Sequence, residues 1–399
     1  MEIETSEQIH PAHAVIKEDA RCLALTTLCE NPRRRTGLTT YFHGLVRTAL
    51  QLYPHIHWLI FAGRTEDWPE DDERLRIIRR FPANDRLLQR LWADHTKVPA
   101  VAKQMGADAL LTVGFVPIRK MLPTVMSLIS LQHADPSNRI GGARQVYRRF
   151  MTRSGIARAD LLITNSACAA SQIKAAFPRF GGKLIVSHEG LQTDQFLLNQ
   201  NSGERAELKN QLGIDPGYFL WVSNFYPYKQ AELLLEGYSR LDAALRATHP
   251  LVMVGGGWNG GDSSALSRAR SLGIEANVRF LGWIEERWLA PLYRNAIAFC
   301  LASREETFGR IVIEAMACGT PCVVNDIPIM HEVTAGHALI VDFQNRNETA
   351  NALNRIVLDR DLHDRLRSEG LRRAADFSFE KMTRERIDVI LELLGKVKS

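Results

Sequence analysis

Residues 303–325 read SREETFGRIVIEAMACGTPCVVN, and their punctuation decides the architecture. Glu306, Phe308 and Gly309 precede a helix-like run, Arg310–Ala317, with apolar residues at helical spacing. A glycine at a helix start lets backbone N–H groups come close to a ligand. The helix N-terminus favours an anion such as a diphosphate. Gly319 and Pro321 then stop the helix and hand the chain to an apolar strand at 322–324. Glu306 and Glu314 stand eight residues apart. Taken as continuous helix, that spacing gives about 12 Å of rise and roughly two turns plus 80°. The carboxylates then lie on neighbouring faces, separated by about the length of a sugar diphosphate plus ribose. A carboxylate suits a hydroxyl pair, because it accepts two charge-assisted hydrogen bonds. One acid could hold a hexose and the other a ribose diol, with the diphosphate between them.

Working outward, short β-branched or leucine-rich runs read as strands at 21–28, 56–62, 109–115, 125–131, 161–165 and 184–187. Helix-length amphipathic segments lie between several of them, at 39–52, 86–104, 143–157 and 167–176. Buried parallel strands give short apolar runs of this kind, and crossover helices fill the intervals. Residues 200–217, QNSGERAELKNQLGIDPG, are polar and end in Pro–Gly. Alternation then resumes at 218–223, 231–241, 251–254, 264–272, 278–281, 288–294, 296–301, 311–317 and 322–325. The stretch 347–398 reads as helices. Two successive doubly wound α/β domains, joined near residue 205, account for this most economically. The acidic stretch 66–73, EDWPEDDE, reads as a solvated loop.

Composition agrees. The 399 residues leave room for two or three domains at about 100–200 residues each. Apolar residues make up 45% and charged residues 24%, which excludes disorder, collagen and coiled coil. Six cysteines, none spaced CxxC, exclude a disulfide scaffold and a zinc ribbon. The acidic start MEIETSEQIH has no apolar core, so no secretory signal is expected, and no run reaches the ~18 apolar residues of a membrane span. The expected location is the cytoplasm. The net charge of +5 hides an asymmetry: residues 1–200 carry 26 basic and 19 acidic side chains, residues 201–399 carry 24 and 26. Residues 101–180 hold 11 basic and 3 acidic side chains, so the first half is expected to meet something anionic.

The run from Glu306 through Phe308, Gly309, Arg310, Ile311 and Glu314 to Gly319 and Pro321 resembles the E-x7-E signature of retaining GT-B glycosyltransferases, specifically glycosyltransferase family 4. The resemblance implies an α/β fold of GT-B type, with two Rossmann-like doubly wound domains facing an interdomain cleft. It implies an acceptor-side domain over 1–204, a nucleotide-sugar donor domain over 205–375, and a helix in 376–399 crossing back towards the N-terminal domain. The donor is then a UDP- or GDP-sugar, and no metal or other cofactor is expected.

Other segments fit the same family. Residues 220–229, LWVSNFYPYK, look like its strand and loop ending in a diphosphate-binding lysine, Lys229. Ser223 stands where a glycine is usual, and Asn224 and Tyr228 where an arginine is frequent, so Arg310 is expected to supply the second cation. Residues 278–283, VRFLGW, resemble the strand and turn at Gly282 that cover the nucleobase. Gly37 in RTGL resembles the glycine loop that approaches donor phosphate or acceptor; Arg33, Arg34 and Arg35 before it suit either an acceptor phosphate or solvent. His133 falls where the family carries a donor-contacting histidine. Asn165-Ser166 and His188-Glu189-Gly190 resemble a strand-end serine and a glycine loop near the interdomain crossing, with His188 and Glu189 as departures. Asp326, Pro328 and Glu332 echo a loop read as structural. The resemblance implies front-face substitution: Glu306, His133 and Lys229 carry catalysis, while Lys229, Arg310 and the Gly309 backbone stabilise the leaving diphosphate. Glu314 holds the ribose.

Two motifs mislead. Residues 255–260, GGGWNG, satisfy GxGxxG, but the next strand ends in Gly282 rather than an acid, which argues against a dinucleotide site. Asp359-Arg-Asp361 mimics a metal-binding DxD, and helix capping accounts for it better. His331-Glu332 lacks a second histidine, and no GxSxG elbow or Walker A sequence is present.

On the acceptor side, residues 143–158 place Arg144, Arg148, Arg149, Arg153 and Arg158 among Val146, Tyr147, Phe150 and Met151. A basic amphipathic helix can rest on an anionic membrane; its other reading is a solvated crossover helix. The expected acceptor is a saccharide or lipid-linked saccharide, with peripheral contact at the inner face of the membrane and no nucleic acid partner. A hydrolase or epimerase of sugar nucleotides, and a non-catalytic scaffold subunit, are the alternatives.

Overall fold

The computed structural model describes residues 20–30, 37–63, 68, 71–82, 86–128, 143–178, 180–191, 195–196, 198, 203–256 and 261–397. Their strands form two sheets. The first contains β1 (Arg21–Thr26), β2 (Ile56–Gly63), β3 (Leu75–Phe81), β4 (Ala109–Val113), β5 (Thr124–Ser127), β6 (Leu161–Thr164) and β7 (Lys183–Val186), in the order β3-β2-β1-β4-β5-β6-β7. The second contains β8 (Tyr218–Val222), β9 (Leu251–Val254), β10 (Val278–Gly282), β11 (Ala296–Leu301), β12 (Cys322–Asn325) and β13 (Leu339–Val341), in the order β10-β9-β8-β11-β12-β13.

All pairings in the second sheet are parallel. The central strands are apolar because both faces are covered. Tyr218 and Leu220 of β8 join Val252, Phe299 and Val324 in the core on one face. Phe219 and Trp221 join Met253, Cys300 and Val323 on the other. Successive residues of a strand point to opposite faces, so one short run feeds both cores.

Packing groups the described residues through Thr112, Val116–Val125 and Leu393 onward in one unit. Val113–Phe115 and Met126–Glu392 form the other. The division therefore runs across β4 and β5, inside the first sheet.

Several expectations are corrected. β3 was not expected, because three arginines interrupt the apolar residues of LRIIRRF; it is an edge strand, and charge suits an edge. β13 is only three residues long and also lies at an edge. The helix expected over 86–104 is interrupted: Leu87–Trp92 and Val98–Gln104 flank a π-helical turn, Ala93–Lys97. The polar joint at 200–217 contains a helix, Glu204–Leu212. Its Glu204 is buried, where Arg294 and Asn295 satisfy the carboxylate, so a polar residue anchors the helix and hides it from a search for apolar periodicity. Within the acidic stretch 66–73, Trp68 is buried, its ring 4.3 Å from that of His43. The C-terminal stretch forms the helices Arg346–Leu358, Arg360–Ala374 and Phe379–Val397. Asp359 caps the second of these, accepting the Leu362 N–H at 2.9 Å.

Candidate active site

The order of the second sheet marks a place for a ligand. From β8 the chain runs outward to β9 and β10, then returns to lay β11 on the other side of β8. Loops leaving β8 and β11 at their carboxyl ends therefore diverge, and such switch points form crevices that bind ligands. The loop after β8 leads to Lys229, and the loop after β11 leads to Glu306. Lys229 Nζ lies 2.5 Å from Glu306 Oε1, with the side chains 12% and 9% exposed. The Arg304 N–H donates to the Tyr228 carbonyl at 2.8 Å and ties the two loops together.

Local sequence explains the loops. Pro227–Lys229 form a single 3-10 turn that ends on Gln230 in the left-handed region, at φ +50°. Tyr226 and Tyr228 stack at 5.5 Å, and the Lys229 ammonium sits 5.2 Å from the Tyr228 ring centroid. Burial, with Glu306 nearby, pushes the Tyr228 phenol up to about 12. Gly309 ends the second loop at φ +88°, where a Cβ would sit 2.5 Å from Met330 Cε. The left-handed conformation thus demands glycine before the helix Arg310–Ala317, while the flexible end of Met330 could yield to a Cβ.

That helix begins at Arg310, so Glu306 lies in the preceding loop, and the 12 Å helical separation expected between Glu306 and Glu314 does not apply. The positive φ of Gly309 breaks the helical path between them. Glu314 is buried. Arg310 Nε donates to its Oε1 at 3.1 Å, and the Tyr293 hydroxyl donates to Oε2 at 3.3 Å. Burial raises the Glu314 carboxyl above its ordinary 4.5; Arg310 and Tyr293 oppose the rise without cancelling it. Arg310, expected to supply the second cation, is paired with Glu314 on its own helix.

Backbone hydrogen bonds hold Ser223 and Gly282 to the end of β9, and Asn224 within its own loop. The Ser223 N–H donates to Val254, the Asn224 carbonyl accepts from Tyr226, and the Gly282 carbonyl accepts from Gly255. A Cβ on Gly255 would fall 1.8 Å from the Ser223 carbonyl oxygen, so that glycine serves strand packing. Trp283 is 70% exposed and covers Gly256. Phe308 is buried and Ile311 half-buried.

Gly37 is the first residue of the helix Gly37–Leu52. Arg33, Arg34, Arg35 and His133 lie outside the described residues, as does the side chain of Arg144. Arg148 is half-buried on the helix Ala143–Arg158. Sequence reading passed over Tyr228 as a shield for the ion pair, and over Asp94 of the π-helical turn. Asp94 is buried, accepts from the Thr26 hydroxyl at 2.7 Å, and is pushed up to about 6 by burial. Only the break in the 86–104 periodicity could have signalled it.

Comparison with known proteins completes the picture. The sucrose-phosphate synthase of Thermosynechococcus elongatus superposes with a TM-score of 0.74 at 20% identity, covering 94% of this chain and all of that one. Anabaena HepE, solved in complex with UDP and glucose, gives 0.68 at 16% identity, covering 93% of this chain and all of that one. This is the GT-B fold. Residues 204–373 of this GT-B chain match the family model for glycosyl transferases group 1. The D-inositol 3-phosphate glycosyltransferase of Actinosynnema mirum is 30% identical over 285 residues, covering 67% of the GT-B chain. The match spans 65% of that relative's own length.

Proposed function

We propose that the chain is a retaining, metal-independent hexosyltransferase. Its donor is a UDP- or GDP-sugar, and its acceptor a saccharide or lipid-linked saccharide of cell-surface polysaccharide or glycolipid biosynthesis. The observation that carries this reading is the Lys229–Glu306 pair, nearly buried at the switch point beside the Gly309 helix start. The UDP and glucose held by the Anabaena neighbour support a sugar nucleotide of this kind.

In this mechanism the bond from the anomeric carbon to the diphosphate breaks while the acceptor oxygen bonds to the same face. The acceptor's proton passes to the departing diphosphate, so no protein nucleophile is needed. Lys229, Arg310 and the Gly309 backbone stabilise the charge that develops on the leaving group. Glu306 holds sugar hydroxyls, with His133 orienting the sugar. A carboxylate has about four acceptor sites, so the two protein donors on Glu314 leave room for a ribose diol. Arg33, Arg34, Arg35, Arg144 and Arg148 serve the acceptor or an anionic membrane at its inner face.

A thermal-shift screen against UDP-, GDP- and ADP-sugars tests the reading, because a ligand bound only by the folded chain raises its apparent stability. One donor class is expected to raise the melting temperature and to be turned over with retention at the anomeric carbon. No shift with any of them, or a glycosyl group trapped on Glu306, would sink it.

A further inference from the structure

Phe308 sits two residues from Glu306 and is 1% exposed. Two other rings enclose it. His188 stacks on it with centroids 5.6 Å and planes 28° apart. Phe377 meets it edge-on at 5.7 Å, and His188 and Phe377 are themselves 5.5 Å apart. The three rings come from the exit of β7, the exit of β11, and the turn between the helices Arg360–Ala374 and Phe379–Val397.

The His188 ring is fixed from its far side. Its Nε2 lies 2.9 Å from Glu332 Oε1. The same carboxylate accepts the N–H groups of Ala167 at 2.7 Å and Cys168 at 2.9 Å, at the start of the helix Ala167–Ala176. Burial works against ionisation of Glu332. The backbone N–H groups and His188 outweigh it and hold the carboxyl below its ordinary range. An ionised carboxylate can only accept, so Nε2 is the donor. Arg373 closes the assembly: its guanidinium donates to the Val333 and Glu332 carbonyls at 2.9 Å each and lies 4.5 Å from the Phe377 centroid.

We propose that His188 is a positioning residue for Glu306. Its ring, packed between Phe308 and Phe377, fixes Phe308 and with it the loop 304–309 that aims the Glu306 carboxylate at the donor sugar. This rests on the role given to Glu306 above. Three variants separate the parts. His188→Phe keeps a ring without the hydrogen bond, His188→Gln keeps a donor without the ring, and His188→Ala removes both.

Hydrogen exchange on the full chain reads the loop directly. In His188→Ala and His188→Gln, the amides of 305–309 are expected to exchange about tenfold faster, while His188→Phe stays within about twofold of the parent chain. In turnover, the same two variants are expected to lose about tenfold in kcat, with KM for the nucleotide sugar and affinity for the bare nucleoside diphosphate within about twofold, and His188→Phe is expected to restore the rate. Unchanged loop exchange in His188→Ala, or a His188→Phe variant as impaired as His188→Ala, overturns the proposal. Exchange needs no substrate. A parent chain that turns over no donor would therefore sink the transferase reading and leave the exchange result to decide the role of His188.

Discussion

In the proposed transferase, Lys229 and Glu306 set the cost of admitting a donor. With side chains only 12% and 9% exposed, the two charges lean on each other more than a surface pair worth about 0–1 kcal/mol does. On that proposal, an incoming diphosphate draws Lys229 away from Glu306. Removing the competing charge in Glu306→Gln is therefore expected to tighten nucleoside diphosphate binding several-fold, while turnover falls about 100-fold for want of the sugar contact. Calorimetric titration and initial rates check both halves. Weaker diphosphate binding in that variant would mean that Glu306 pre-organises Lys229 instead of competing for it. Glu314 makes a different prediction. Its carboxyl is raised by burial, so its contribution to stability is full below the ordinary 4.5 and is lost as pH rises through the raised value. Glu314→Gln is expected to lose donor affinity about tenfold, to match the parent chain in melting temperature near pH 4, and to equal or exceed it at about pH 8. A melting series across pH reads this directly.

At the scale of elements, the site depends on how one helix starts and on how another is capped. Gly309→Ala would force a side chain to φ +88°, and this backbone strain, more than the yielding end of Met330, sets its cost. The expected cost is about 1–3 kcal/mol, or roughly 2–4 °C of melting temperature per kcal/mol for a unit of this size, and calorimetry measures it. Glu332 caps the helix Ala167–Ala176 from the short helix Pro328–Thr334. Losing a cap of this kind costs about 0.5–2 kcal/mol. The Glu332 carboxyl is lowered, so its stabilisation is present above the ordinary 4.5 and is lost as pH falls through the lowered value. Glu332→Ala should thus be clearly less stable than the parent chain near pH 7 and indistinguishable from it near pH 2–3, in equilibrium denaturation at the two pH values. A gap that persisted at low pH would assign Glu332 to packing rather than charge.

For the whole molecule, the basic stretch 101–180 gains a specific face. On the helix Ala143–Arg158, Val146 and Phe150 are 67% and 65% exposed, one turn apart, while Met151 and Ile156 are buried. Apolar groups turned outward among arginines fit an anionic bilayer. Co-sedimentation with anionic vesicles is expected, falling with salt and weakened several-fold in Phe150→Ser, whereas binding indifferent to anionic lipid would remove the membrane from the picture. The alternation of apolar runs and amphipathic segments fixed the α/β class, because a parallel strand buried on both faces has nowhere to put polar side chains. The glycine and proline around 306–321 marked the Gly309 helix start, because a positive φ and a helix stop are local demands. Residue identity therefore named Lys229, Glu306 and Glu314 as candidates. Their pairing was not legible. Arg310 with Glu314 follows from one helical turn, but Lys229 with Glu306 spans 77 positions of sequence and exists only because β11 returns beside β8. The same holds for His188 and Glu332, 144 positions apart, and for Glu204, a polar residue buried because Arg294 reaches it. Local conformation and hydrophobic pattern are properties of neighbouring residues, and the sequence alone determined them. Which charges meet, and how far water is kept from them, depends on strand order and long-range packing, and only the tertiary structure decided that.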